Sequence, residues 1–217
     1  PPLIDSGGPV CFRDFKRCDY LPLWETMKQF TNTRCDTTKD EIWLVEHNPV
    51  YTLGQRAIES DIIEKNTIPV IATDRGGRVT YHGPGQLVIY PLLNLKRLKC
   101  HLRMLVDALE NSLIQLLKQY QIEAYAEPKA PGIYIEGSKV ASLGLRIHKG
   151  YSYHGIAINV AMDLTPFDAI YPCGLTNTPV TQLVDWIGPI SIPQVRKTFL
   201  YYFLKRLFHP EEKHLDA

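Results

Sequence analysis

A cysteine set between a proline and a glycine is the residue in this chain best placed by type to act as a nucleophile. Cys173 stands in Pro172-Cys173-Gly174. Proline fixes one backbone angle and glycine frees the next, which favours a sharp, exposed presentation of the thiol. Against this, a free cysteine is among the most buried residue types and usually only packs. Lys139 opens a run of small and apolar residues, Val140-Ala141-Ser142-Leu143-Gly144. At a turn a lysine is normally just solvated. Aimed into a cleft, its charge would lower the pKa of a neighbouring thiol from about 8.5, and desolvation would bring its own pKa down. His82 and His154 each precede a glycine. Either could be the base of a Cys–His pair or a polar group satisfied by backbone, and neither spacing separates the two.

A second feature is the stretch Asp74 to Gln86, which holds four glycines, two arginines and a histidine between apolar runs. A connection this long and Gly-rich is a candidate binding loop, although a long hairpin whose glycines only turn corners fits equally well. Phosphate binding is weakly supported, because the stretch matches neither G-x-x-x-x-G-K-[ST] nor a strand, G-x-G-x-x-G, helix arrangement. Ser142-Leu143-Gly144 and Gly155-Ile156-Ala157 put small residues on neighbouring strands. Facing one another, they would leave a groove for a narrow apolar ligand; otherwise they are a Gly-weakened sheet interior.

The elements that must position these residues read as follows. Residues 1–18 show little periodicity, and residues 1–10 are expected to be poorly ordered. Leu23, Met27 and Phe30 recur at helical spacing over 20–30, with Asp19 as N-cap and Pro22 in the first turn. Residues 31–40 read as a loop. Strands are expected over 41–47, 50–53, 69–72 and 86–90, the last apolar enough to be covered on both faces. The stripe Leu102, Leu105, Val106, Leu109, Leu113, Leu116, Leu117, Tyr120 marks a helix over 101–120. Residues 132–136, 139–147 and 151–160 form an antiparallel meander with Gly137-Ser138 and Lys149-Gly150 at its turns. One short helical turn follows over 163–169. Ser191 and Pro193 start a last helix with Val195, Phe199, Phe203 and Leu207 inward. Strands and helices without a β-α-β rhythm predict an α+β fold, one domain with helices packed on a mixed or mainly antiparallel sheet.

Composition limits the function classes. The 217 residues are 45% hydrophobic and 22% charged, with a formal charge of +1. That is ordinary globular composition, and it gives no global electrostatic argument for nucleic acid or a membrane. No apolar run approaches the roughly 18 residues of a membrane span, and the start is not expected to be a signal peptide. Five cysteines without a C-x-x-C pair fit free thiols in a reducing compartment and argue against a structural zinc site.

Together these pieces resemble the lipoyl(octanoyl) transferase family, the octanoyltransferases of lipoate biosynthesis. The resemblance runs from about Asp40 to Leu183. It is carried by Arg75-Gly76-Gly77-x-Val79-Thr80-Tyr81-His82-Gly83-Pro84-Gly85-Gln86-Leu87, Lys139-Val140-Ala141-Ser142-Leu143-Gly144 and His154-Gly155-Ile156-Ala157-Ile158-Asn159. Asp163-Leu164-x-x-Phe167-x-x-Ile170-x-Pro172-Cys173-Gly174 completes it. Glu46 to Gly54 looks like the family's early strand pair, whereas Gly132-Ile133-Tyr134 stands where the family often has a tryptophan.

The resemblance implies a catalytic domain similar to that of biotin and lipoate protein ligases, and transfer of an octanoyl group from acyl carrier protein to a lysine of a lipoyl domain. Acceptors would be lipoyl domains of 2-oxoacid dehydrogenase complexes or the glycine cleavage H protein. It implies Cys173 as nucleophile and Lys139 as the residue that activates it. Arg75, Gly76, Gly77, Arg78, Val79, Thr80, Tyr81 and His82, with Ser142, Leu143, Gly144, Gly155, Ile156 and Ala157, would line the acyl site. No cofactor, metal, nucleic acid or membrane partner is implied, and the location expected is the cytoplasm. Backbone N–H groups near Gly76, Gly77 or Leu143 would hold the oxyanion. Basic residues at 96–103 or on the last helix would dock an acidic carrier, or simply form a solvated face. The competing readings are an ATP-dependent lipoate or biotin ligase, with the Gly-rich loop on an adenylate, and a domain that only binds acyl chains or carrier.

Overall fold

The computed structural model describes residues 4–5, 8–64, 66–171 and 178–208. Its centre is an eight-stranded sheet. The strands in chain order are β1 (Ile4–Asp5), β2 (Val10–Cys18), β3 (Asp40–His47), β7 (Gln86–Leu92), β8 (Tyr125–Ala126), β9 (Gly132–Ile135), β10 (Ser138–His148) and β11 (Tyr151–Asn159). Their order across the sheet is β1-β2-β3-β7-β11-β10-β9-β8. The β2–β3 pair is parallel and the other pairs are antiparallel. A smaller sheet holds β4 (Val50–Leu53), β5 (Val70–Ala72) and β6 (Val79–His82) in the order β5-β4-β6. The mainly antiparallel α+β architecture read from the sequence is the one observed.

Every residue of β7 is buried, as its unbroken apolarity requires, because helices cover both faces of the sheet. On one face α1 (Tyr20–Thr33) sets Leu23 and Met27 against Trp43, Val45, Val88, Tyr90 and Tyr153. On the other, α2 (Leu102–Lys118) and α4 (Ile192–Phe208) pack Leu105, Leu109, Leu113, Val195, Phe199 and Phe203 onto Ile42, Ile89 and Ile156. A short helix, α3 (Val184–Ile187), leads into α4.

Four expectations change. Residues 10–18 are a nine-residue strand rather than an aperiodic stretch. Their charges look solvated in the sequence but are paired across the fold, Arg13 Nε with Glu41 at 2.6 Å and Asp14 with Arg196 at 2.6 Å. Helix α1 continues to Thr33, into the stretch read as loop. Asp19 precedes α1 without capping it and accepts instead from Asn48 Nδ2 at 2.6 Å. On α2 the stripe is narrower at its ends than its spacing indicates, with Leu102 and Tyr120 exposed. Among the described residues no helix is long and apolar enough to cross a membrane.

Candidate active site

The site forms where one strand stops. β9 pairs with β10 only as far as Ser142↔Gly132. Beyond that point β10 presents an edge, and the Gly-rich stretch folds over it, with Gly76 N–H donating to the Leu145 carbonyl at 3.2 Å. A Cβ on Gly144 would come within 2.9 Å of the Gly76 carbonyl oxygen. The bare α-carbon is what lets the loop lie this close. The stretch is not all loop, because β6 lies within it and pairs antiparallel with β4.

Between this loop and the α1 face of the large sheet is a narrow cavity, partly open to solvent. The structure brings most of the expected binding residues together there. Arg75, Gly77, Arg78, Val79, Thr80 and His82 form one wall, and Ser142, Leu143, Gly144, Gly155, Ile156 and Ala157 the other. Two of the expected residues stand elsewhere. Gly76 lines a neighbouring groove with Arg56 and Lys129. The Tyr81 side chain faces away, packed between Tyr51 and Phe167. Sequence reading missed Tyr20, Val88, Tyr90 and His154, which complete the lining; His154 it considered as a base or as a polar group satisfied by backbone.

The loop is held by its own arginine. Arg75 is buried; Nε donates to Thr52 Oγ1 at 3.1 Å, Nη2 to the Thr52 carbonyl at 2.6 Å and Nη1 to the Gly76 carbonyl at 2.9 Å. The Thr52 hydroxyl, accepting from the guanidinium, has its own proton left for His82 Nε2 at 3.3 Å. His82 Nδ1–H then donates to Gln86 Oε1 at 2.7 Å, and Gln86 Nε2 donates to Asn159 Oδ1 at 2.9 Å. Burial pushes the His82 pKa well below its ordinary value. His82 is therefore a neutral wall residue fixed at both nitrogens, not a proton carrier. Of the amides expected to hold an oxyanion, that of Gly76 is already committed to Leu145.

Asp74, at the start of the loop, is a hub. It accepts from Trp24 Nε1 at 2.9 Å and His154 Nε2 at 2.8 Å, from the Tyr153 hydroxyl in a short bond, and it lies 3.6 Å from Arg146 Nε. Despite a desolvation effect in the other direction, these donors hold its carboxyl well below the usual range.

Lys139 is 2% exposed. Its side chain leans along the sheet toward Gly132, where an added Cβ would lie 2.4 Å from Cε and 3.1 Å from Nζ. Because Gly132 pairs with Ser142, the ammonium reaches the level at which the cavity begins. Its backbone holds the segment 178–181: Lys139 N–H donates to the Pro179 carbonyl at 2.8 Å, and Thr181 N–H donates to the Lys139 carbonyl at 2.9 Å. Cys173 lies outside the described residues. In the regions expected to dock a carrier, Arg97 is engaged with Asp40 and the carbonyls of Asp36 and Thr38, and Arg103 pairs with Asp107.

The buried imidazoles have a consequence for stability. Burial drives the His47 pKa down to about 4, and His82 and His154 are lowered by the same cause. The unfolded chain takes up these protons near the ordinary histidine value and the native state resists, so stability is full above that value and falls with pH. From a shift of His47 from 6.5 to about 4, the loss for that residue alone is about 3 kcal/mol. Urea denaturation is expected to show a falling midpoint between pH 7 and 5, less steep in His47→Gln. A flat profile would mean that these rings are not buried in the neutral form.

Comparison with known proteins places the chain. The model of the lipoyl protein ligase A/B catalytic domain matches residues 19–204. An octanoyltransferase of Vibrio cholerae is 52% identical over 188 residues, covering 87% of this chain and 87% of that protein. One from Stutzerimonas stutzeri is 49% identical over 206 residues, 95% of this chain and 94% of that protein. Among solved structures, a Thermoplasma acidophilum putative lipoate protein ligase with bound lipoic acid superposes with a TM-score of 0.70 at 17% identity, over 90% of this chain and 85% of that one. A biotin protein ligase from Aquifex aeolicus does so with a TM-score of 0.59 at 18% identity, over 93% and 72%. The last two speak to the fold alone.

Proposed function

The chain belongs to the lipoyl protein ligase A/B catalytic domain family, and from that premise we propose that it is an octanoyltransferase working through an acyl-enzyme on Cys173, with residues 1–217 acting as one catalytic domain. The donor is an octanoyl thioester of acyl carrier protein. The acceptor is a lysine of a lipoyl domain.

The observation that carries this reading is a narrow cavity lined by Ser142 and its neighbours, with the buried Lys139 side chain reaching Gly132, the strand partner of Ser142. Lys139 also anchors the chain that follows Cys173. Pro179 lies six residues after Cys173, a span that reaches at most about 20 Å. In the first half-reaction the Cys173 thiolate, favoured by the neighbouring ammonium, attacks the thioester carbonyl. The carrier's thiol leaves with the proton that Cys173 gave up. The octanoyl chain then lies along Ser142–Gly144 and Gly155–Ala157 under the loop. In the second half-reaction the acceptor amine attacks the acyl-enzyme, the Cys173 sulfur leaves, and an amide replaces the thioester. The exchange of one thioester for another is nearly balanced and amide formation runs downhill, so no nucleotide is required.

The ATP-dependent ligase reading rests only on the shared fold of distant relatives, whereas the octanoyltransferases match at about half identity over nearly the whole chain. Incubation with octanoyl-carrier and no acceptor, followed by intact-mass analysis and peptide mapping, tests the choice. One octanoyl group is expected on Cys173. Transfer that requires ATP and releases pyrophosphate, with no adduct, would replace this reading by the ligase.

A further inference from the structure

Tyr153 and His154 are consecutive residues of β11, so alternation along a strand should send them to opposite faces. Both nevertheless reach Asp74. The alternation is broken at His154, whose φ of 56° lies in the left-handed region that residues with a Cβ rarely occupy. Such strain persists where the surroundings over-determine it, and it clusters at functional sites. Here it turns a 1% exposed imidazole into the lining of the cavity.

The hydrogen bonds fix the tautomer of that ring. Ionised Asp74 only accepts, so His154 Nε2 carries the proton. Burial favours the neutral ring, which leaves Nδ1 a bare acceptor. Among the described residues that Nδ1 has no hydrogen-bond partner. Native interiors seldom leave such atoms unmet.

Its position along the cavity gives it a role. The Lys139 ammonium comes to the level of Ser142, and His154 is paired with Leu145, three residues farther along β10. At strand rise that is about 10 Å. With carbon–carbon bonds of about 1.5 Å, an extended eight-carbon acyl chain spans about 9 Å. We infer that His154, held by Asp74, is the specificity-determining residue that closes the acyl cavity, and that its Nδ1 reads the far end of the chain by accepting a hydrogen bond from a terminal hydroxyl. This rests on the octanoyltransferase reading and names what its acyl site accepts: a straight chain of eight carbons, or the same chain with a hydroxyl on its last carbon. Further methylenes run into an acceptor they cannot satisfy, backed by a carboxylate already fixed by Trp24 and Tyr153.

The test uses two donors of matched size. Nonanoyl and 8-hydroxyoctanoyl tails differ only by a terminal methyl against a hydroxyl. Each is loaded on acyl carrier protein, and kcat/KM for transfer to a lipoyl domain is measured with the full chain, with octanoyl as reference. The wild type is expected to use 8-hydroxyoctanoyl about fivefold or more better than nonanoyl, the scale of one good hydrogen bond. His154→Leu should bring that ratio to one or below. The ratio is internal to each variant, so a variant that is merely poorly folded lowers both rates and leaves it unmoved. A wild-type ratio of one or below, or a ratio unchanged in His154→Leu, overturns the inference while octanoyl transfer itself stands. If octanoyl is not transferred at all, the octanoyltransferase reading has failed and this inference falls with it.

Discussion

Cys173→Ala is expected to lower octanoyl transfer by at least about 10³-fold, the scale on which removal of a covalent nucleophile shows itself. The loss should fall on kcat, because the cavity proposed for the acyl chain is lined by the residues around Arg75, Ser142 and Gly155, so the carrier should still bind. No octanoyl adduct should form on the variant. A melting curve on the same sample separates lost chemistry from a lost fold. Cys173→Ser is expected to lie close to Ala. Nothing in the proposed mechanism strips the serine hydroxyl of a proton that an ammonium can help only a thiol to give up. Turnover within a few-fold of the wild type in either variant would remove Cys173 from the reaction.

Lys139→Met is expected to cost about 10²- to 10⁴-fold, the range attributed to a positioned proton-transfer group. Methionine is a fair mimic of the buried aliphatic stem, and the backbone bonds of residue 139 to Pro179 and Thr181 do not depend on the side chain. The fold should therefore persist. What goes is the positive charge proposed to act on the thiol. Without it the thiol should titrate near or above its ordinary value of about 8.5, so the residual activity should climb as pH rises through that range while the wild type changes little. That recovery distinguishes an activating cation from a strut. A variant uniformly weak at every pH would show that Lys139 only holds the 178–181 segment in place.

Much of this site could be read before any fold was known. Arg75 to His82, Ser142 to Gly144 and Gly155 to Ala157 are local patterns of small and basic residues, and most of them do meet around one cavity. Asp74 and Tyr20 carried no such signal. An aspartate before a glycine pair reads as turn chemistry, and a tyrosine at the first position of a helix as core. β2 stayed hidden because its charges find partners on strand β3 and helix α4, and β6 because it is a short strand inside a glycine-rich stretch.

By itself, then, the sequence determined the nucleophile candidate, the α+β class and the small-residue strands that make room for a narrow ligand. Those properties follow from residue type and near-neighbour spacing. The tertiary structure decided what depends on distant residues meeting. It stopped β9 at Gly132 so that a loop 56 residues earlier could cover the edge of β10. It laid the Lys139 side chain along the sheet toward Gly132. It also took the two histidines that look alike in sequence and gave them different states. His82 is satisfied at both nitrogens by Thr52 and Gln86, while His154 is held at one nitrogen by Asp74 and, among the described residues, left open at the other. The protonation of an imidazole follows from the donors and acceptors around it, and those are brought together only by folding.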